Sequence, residues 1–455
     1  MGKNKKTLNR WTLCVNDFGK IKDAKITISP LTLFVGDNNS GKSYLMILIY
    51  GLLNAKFYFD GFKFDKTSEN FLKCKNIINL LLNNVNDEYK LNRDDVVHFQ
   101  NFLTEILETN KEEFIANLFN KSISIGKLSV HFPNDSSFSF AIQKLAHEEK
   151  DKKQTFEIKT MDIEKPIIYS ASYSYEELTK DDTVYFFFIS YILETMLNPF
   201  FCSGKMSKVY LPTARTGFLL TYKSIVKKAL QDSLSASEPE KNPLSKPCSD
   251  FLQTLSTMQT ESQYARFSDV LDMLENNVIT GKLTVSNQPP HDISYIPAQT
   301  STPLPLHVTS GVVTEVTPLA LFLKYVDMAM LMIEEPEISL HPRLQKEIAK
   351  CLIRIVNKDT PVFVTTHSDI ILQQINNMIR LNDFKDDDGV LKYGEDDLLS
   401  RNDVSVYQFD VENGKTTIKS IPCGDYGFAV LSFYDALKEM NDEINTINSL
   451  DKSDA

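Results

Sequence analysis

The sequence lacks the marks of several protein classes. Its six cysteines (Cys14, Cys74, Cys202, Cys248, Cys351 and Cys423) form no CxxC pair, so neither a zinc site nor a disulfide framework is indicated. They read as buried free thiols in a reducing compartment. No apolar run reaches the roughly 18 residues of a membrane span; the most apolar stretch, Val184 to Leu193, is short and followed by polar residues. Met1 to Arg10 is basic without a hydrophobic signal core behind it, and a cytoplasmic location is expected. Basic excess is also missing: the formal net charge is −11, the wrong sign for a general nucleic-acid coat. No heptad persists for several turns, which excludes a long coiled coil, and there is no internal repeat.

Core material is present. Of 455 residues, 42% are apolar, with 29 Phe and 18 Tyr against a single Trp, enough for a substantial globular core. Trp11, Leu13 and Val15 alternate with polar residues, a turn signal follows at Asn16-Asp17-Phe18-Gly19, and Ala24, Ile26 and Ile28 alternate again. Leu31 to Val35 suits a strand buried on both faces. Gly36 breaks it, and a helical pattern starts at Lys42. The middle of the chain predicts helices at 69–85, 93–120, 182–198 and 216–231, strands at 122–132 and 155–169, and an exposed loop from Ser233 to Ser249. Towards the end, a helix at 314–326, a buried strand at 328–333, a helix at 344–356 and a buried strand at 362–365 imply a parallel sheet. A strand pair near 404–409 and 416–421 and a helix at about 428–447 complete the chain. This organisation predicts an α/β head formed by residues 1–60 and 290–455, with 61–289 as a mixed, mainly helical insertion.

Four segments carry chemistry. Gly36-Asp37-Asn38-Asn39-Ser40-Gly41-Lys42-Ser43 is a GxxxxGK[ST] loop placed between a buried strand and a helix. Its glycines let backbone N–H groups face a phosphate chain, and the helix N-terminus adds its positive end. Lys42 is expected to reach the β- and γ-phosphates and Ser43 to ligate Mg²⁺; the nucleotide-binding set is Gly36, Asn38, Asn39, Ser40, Gly41, Lys42, Ser43 and Tyr44. The run Leu331-Met332-Ile333-Glu334-Glu335-Pro336-Glu337 delivers two carboxylates at a strand end, where ligands collect in open α/β sheets. Glu334 is expected to hold Mg²⁺ through water and Glu335 to act as general base. Val362-Phe363-Val364-Thr365-Thr366-His367 is a second buried strand ending in a group, His367, that can sense the γ-phosphate. Thr309-Ser310-Gly311 stands before a helix whose first amides, with Ser310, can bind an anion.

The order of these segments resembles an ABC-type ATPase head of the SMC/RecF kind, and more closely the compact OLD-like ATPases. Their loop commonly reads GxNNSGKS and their acidic strand EEPE followed by a hydrophobic-His-Pro segment, as here at Glu334 to Glu337 and Leu340-His341-Pro342. Leu211-Pro212-Thr213-Ala214-Arg215 resembles a Pro-Ala-x-Arg element of the same proteins. The resemblance covers roughly residues 8–60 and 205–425. It implies a P-loop ABC/SMC-like head that binds ATP and Mg²⁺. It also implies homo-oligomers built of head-to-tail dimers, extending to a hexamer, in which Ser310 and Gly311 act in trans. The signature is Thr-Ser-Gly and not the full Leu-Ser-Gly-Gly-Gln, and no glutamine-loop ligand for Mg²⁺ is visible, which points to slow or partner-dependent turnover. The acidic run Asp386-Asp387-Asp388 reads as a solvated loop; no Toprim nuclease, catalytic triad or zinc cluster is visible. An ATPase head without its own effector resembles the ATPase components of two-gene antiphage systems of the PARIS and Septu kinds. Its expected partners are a separate effector protein, a nuclease in that reading, and a phage-encoded trigger, with no membrane and no indicated DNA. The alternative is a RecF-like DNA-repair ATPase; the basic clusters Lys3, Lys5, Lys6 and Lys223, Lys227, Lys228 read as solvated faces.

Overall fold

The computed structural model describes residues 10–145, 153–161, 168–174, 181–198, 206–234, 244–261, 263–384, 393–430 and 438–447. Lys3, Lys5, Lys6, Cys202 and Asp386 to Asp388 lie outside the described residues. The other five cysteines are free thiols.

A nine-stranded sheet forms the centre. In chain order its strands are β1 (Thr12–Phe18), β2 (Ile21–Thr27), β3 (Leu31–Gly36), β4 (Lys127–His131), β5 (Ser207–Leu211), β6 (Met328–Glu334), β7 (Val362–Thr366), β8 (Val404–Glu412) and β9 (Lys415–Ile421). Across the sheet they run β4-β1-β2-β9-β8-β3-β7-β6-β5. From β8 to β5 every neighbour is parallel. The other half is antiparallel except where β9 meets β2.

Parallel strands need cover on both faces, and successive side chains point to opposite sides. Phe34, Tyr210, Met330, Met332 and Phe363 accordingly join one core, with α1 (Lys42–Asn54), α2 (Glu69–Asn83), α3 (Arg93–Phe119) and α4 (Asp182–Leu197). Leu31, Leu33, Leu331, Ile333, Val362 and Val364 join the other. That core is closed by residues of α5 (Arg215–Leu234), α6 (Lys246–Thr257), α7 (Gly311–Tyr325), α8 (Pro342–Asn357) and α9 (Asp369–Phe384).

The apolar stretch at Val184 is helix α4, buried at every position from Val184 to Leu197. Each large side chain so buried contributes roughly 1.5–3 kcal/mol. The Trp11 indole N–H caps it, donating to the Leu197 carbonyl at 2.8 Å. No helix among the described residues is long and apolar enough to cross a membrane.

Three local expectations change. The stretch 61–289 supplies both edge strands of the central sheet, β4 and β5, so it is woven into the head. Strand 122–132 shortens to Lys127–His131, and 155–169 resolves into Lys153–Thr160 and Ile168–Ser174 of a separate four-stranded antiparallel sheet. The polar loop expected to Ser249 gives way to α6 at Lys246: Pro247 sits in the first turn, where its missing N–H costs nothing, and Phe251, Leu252 and Leu255 are buried behind it.

Candidate active site

The phosphate loop follows from backbone geometry. Gly36 ends β3 at φ +134°, and a Cβ there would lie 2.4 Å from the Phe409 carbonyl oxygen of β8, so only glycine fits. Asn39 and Gly41 are also left-handed, at φ 56° and 94°. The loop turns back on itself and enters α1. Gly41 offers that helix no side-chain cap, and the first-turn amides have no preceding carbonyl to meet. The helix start is thus ready for an anion.

Lys42 is buried and folds over the loop. Its Nζ donates to the Gly36 carbonyl at 3.0 Å, the Asp37 carbonyl at 2.7 Å and Ser40 Oγ at 3.1 Å. Burial draws its pKa down to about 8, against the opposing pull of Glu335, Asp37 and Glu337. Lys20 holds Asn39 from outside at 2.9 Å. Tyr44 is 41% exposed and packs edge-on to Phe119.

Strand β7 lies between β3 and β6, with Thr365 beside Phe34 on one side and Glu334 on the other. This register carries the acidic strand end to the loop. Glu334 shares its face of the sheet with Met330 and Met332, the α1 side. Its Oε1 accepts from the Tyr210 hydroxyl at 2.7 Å, and its Oε2 accepts from the Thr213 N–H at 2.9 Å and hydroxyl at 2.8 Å. Three of roughly four lone-pair positions are therefore occupied. Among the described residues no cluster of three or more His, Cys, Asp or Glu could hold a metal unaided. A magnesium ion here would need phosphate oxygens besides Ser43 and Glu334, and the lone pair left on Glu334 suits a water-mediated contact.

Glu335 sits at φ +43°, unusual for a residue with a Cβ and doubly so before Pro336. Such a conformation costs about 1–3 kcal/mol and persists only where neighbours fix it. Its N–H donates to the Thr365 carbonyl at 2.8 Å. Its Oε1 is 3.6 Å from His367 Nε2, an ion-pair separation longer than a hydrogen bond. The His367 ring holds the Glu335 carboxyl below its ordinary value, with Lys42 adding to the effect. Glu337 is the inner brace: its Oε1 accepts from the Thr366 hydroxyl at 2.9 Å and the His367 N–H at 2.6 Å. Burial pushes its carboxyl up, and its Oε2 has no partner.

The structure thus gathers the phosphate loop, Glu334, Glu335 and His367 at one end of the parallel strands. Ser310 and Gly311 keep other neighbours. Ser310 caps α7, accepting from the Val313 N–H at 3.5 Å, and Gly311 lies against Ser339. Ser310 lines a cavity of about 360 Å³ together with Thr280, Tyr295, Val308, Val313 and Leu344. Residue patterns alone give no partners for Tyr210, Thr213 and Arg215; the Pro-Thr-Ala-Arg stretch was the one signal. Arg215 is 1% exposed, and its guanidinium reaches the carbonyls of Glu334, Glu335 and Glu315.

A loop of this kind, opening into an uncapped helix at the edge of parallel strands, is the phosphate-binding end of an α/β P-loop ATPase. The sequence model of the family described as "AAA ATPase domain" (AAA_15) matches residues 12–197 and 215–372, more than half of the chain. The chain belongs to this family. No curated protein matches it. Among solved structures it is similar to an SMC head bound to the C-winged helix domain of ScpA, at 13% identity, with 91% of this chain and 97% of that one covered and a TM-score of 0.36. The SMC head domain from Thermotoga maritima gives 12% identity, coverage of 91% and 100%, and 0.31. An Smc head domain with an extended coiled coil, bound to the C-terminal domain of ScpA derived from Pyrococcus furiosus, gives 11%, 95% and 99%, and 0.36. The assignment rests on the family match.

Proposed function

We propose that this ATPase binds ATP with Mg²⁺, hydrolyses it, and pairs head-to-tail with a second copy whose Ser310 and Gly311 complete the γ-phosphate pocket. The observation that carries the reading is Lys42, at the root of an uncapped helix, within electrostatic reach of a carboxylate in a fixed left-handed turn. Lys42 and the loop amides bind and orient the triphosphate. Glu335 accepts the proton of the attacking water, and His367 orients Glu335 and meets the γ-phosphate oxygens. Ser43 and Glu334 would hold the metal, which would supply charge neutralisation to the triphosphate. The loop covers one side of the phosphates only, and a second helix N-terminus would supply the missing donors, so that nucleotide binding favours pairing.

Within this class we infer a sensor and scaffold of an antiphage system. It would hold a separate effector, a nuclease in this reading, and release it when a phage-encoded trigger arrives. The GxNNSGKS and EEPE segments support it, as does a net charge of −11, which suits protein partners better than bare DNA. The test is a pull-down from the native host followed by mass spectrometry. Co-purification of a neighbouring gene's product supports the scaffold. A chain that purifies alone and grips duplex DNA in an ATP-requiring, salt-dependent manner supports the RecF-like alternative.

A further inference from the structure

Arg215 opens α5 directly after β5, and its fork reaches two segments distant in sequence as well as the turn just before it. Nη1 donates to the Glu334 carbonyl at 2.7 Å and the Pro212 carbonyl at 3.3 Å. Nη2 donates to the Glu335 carbonyl at 3.1 Å, and Nε donates to the Glu315 carbonyl at 3.2 Å. The Glu315 carboxylate stands 2.9 Å from Nε, and its other oxygen accepts the Thr216 hydroxyl at 2.6 Å. Glu315 lies in the first turns of α7, the helix that starts at Ser310-Gly311.

We propose that Arg215 is a positioning residue for ATP cleavage: it sets the left-handed Glu335 turn and ties that turn to α7 through Glu315. The carbonyls of Glu334 and Glu335 belong to the peptide planes on either side of the strained residue, and one rigid guanidinium holds both. The Thr365 carbonyl fixes the N–H between them. Without the fork, the Glu334 carbonyl loses its hold and the turn keeps only the Thr365 and Ile338 backbone bonds against the extended backbone that Pro336 favours, so that the carboxylate swings away from His367 and Lys42. Glu334 is protected from this loss, because Tyr210 and Thr213 hold its side chain independently. The damage therefore falls on the proton-accepting carboxylate and spares nucleotide binding. A lysine, a point donor on a flexible stem, cannot span the same carbonyls. Because Glu315 rides on α7, any displacement of the Ser310 helix start reaches Glu335 through the same guanidinium.

The proposal rests on the ATPase reading, and the experiment separates the two. The full-length chain and its Lys42→Ala, Glu335→Gln, Arg215→Lys, Glu315→Gln and Arg215→Lys/Glu335→Gln variants are compared for equilibrium binding of a fluorescent ATP analogue with Mg²⁺ and for single-turnover ATP cleavage. Arg215→Lys is expected to bind within about threefold of wild type and to cleave at least about tenfold more slowly. In the Glu335→Gln background it should change the rate by less than about twofold, since the two side chains act through one step. The isosteric Glu315→Gln should slow cleavage in the same direction with binding intact. Wild-type cleavage by a folded Arg215→Lys, or an equal slowing with and without Glu335, overturns the proposal. So does loss of fold in both Arg215→Lys and Glu315→Gln, which would make the cluster purely structural. A wild type that cleaves no faster than Lys42→Ala removes the ATPase reading itself, and the proposal with it.

Discussion

Lys42 gives the site a pH dependence whose sign and size follow from its surroundings. In the ligand-free chain burial draws its pKa to about 8, far below an ordinary lysine. A triphosphate chain beside Nζ favours the charged form, so the bound state holds its proton to higher pH. Binding therefore takes up a proton once the medium is above pH 8, and affinity must fall as pH rises through that value. The amine is about nine-tenths charged at pH 7 and about one-tenth charged at pH 9, so the apparent Kd should rise roughly tenfold across that interval, with a limiting slope of one decade per pH unit. The assay is a titration with a fluorescent ATP analogue and Mg²⁺ at constant ionic strength from pH 7 to 9. ATP's own terminal phosphate is already ionised over most of this range. Lys42→Ala should lose most of the affinity and all of the slope. A flat profile in the wild type, or an equal slope in Lys42→Ala, would refute the assignment of Lys42 to the phosphates.

Three further outcomes follow from the same geometry. Glu335→Gln should keep ATP affinity within about threefold while lowering turnover by roughly a hundredfold or more, the span of a general base; unchanged steady-state phosphate release would remove Glu335 from that role. Gly36→Ala meets both a positive φ and the Phe409 carbonyl, so thermal unfolding should show a loss of about 2 kcal/mol or more together with lost nucleotide binding. A variant as stable as wild type would contradict the close approach of β3 and β8. Tyr210→Phe removes a buried donor from the Glu334 carboxyl group, and urea denaturation should report a loss of roughly 1–3 kcal/mol. No change would mean that Glu334 finds water in its place.

The phosphate loop is legible in the sequence because its chemistry and its shape come from the same residues. Gly36 and Gly41 supply the positive φ, Leu31 to Val35 alternate between two cores, and Lys42 begins the helix. The alternation β6, α8, β7 is legible for a similar reason, since Met328 to Ile333 and Val362 to Val364 are unbroken apolar runs, as strands covered on both faces require. The woven edges are not. β4, Lys-Leu-Ser-Val-His, alternates as a strand should, but its partner β1 lies about a hundred residues earlier, and nothing local assigns it to an edge of the central sheet. The turn at Glu335 is the sharpest case. Local rules read Glu335-Pro336 as extended backbone, yet the residue is left-handed. Bonds from distant segments meet it there, from Thr365 on β7 and from Arg215, 120 positions away in the chain. Local preference and tertiary structure disagree at the carboxylate assigned the proton transfer. Such conflicts are tolerated where a side chain must be held in one place against its own backbone. The strain at Glu335 and the burial of Arg215 are thus two sides of one arrangement, and a sequence read position by position shows neither.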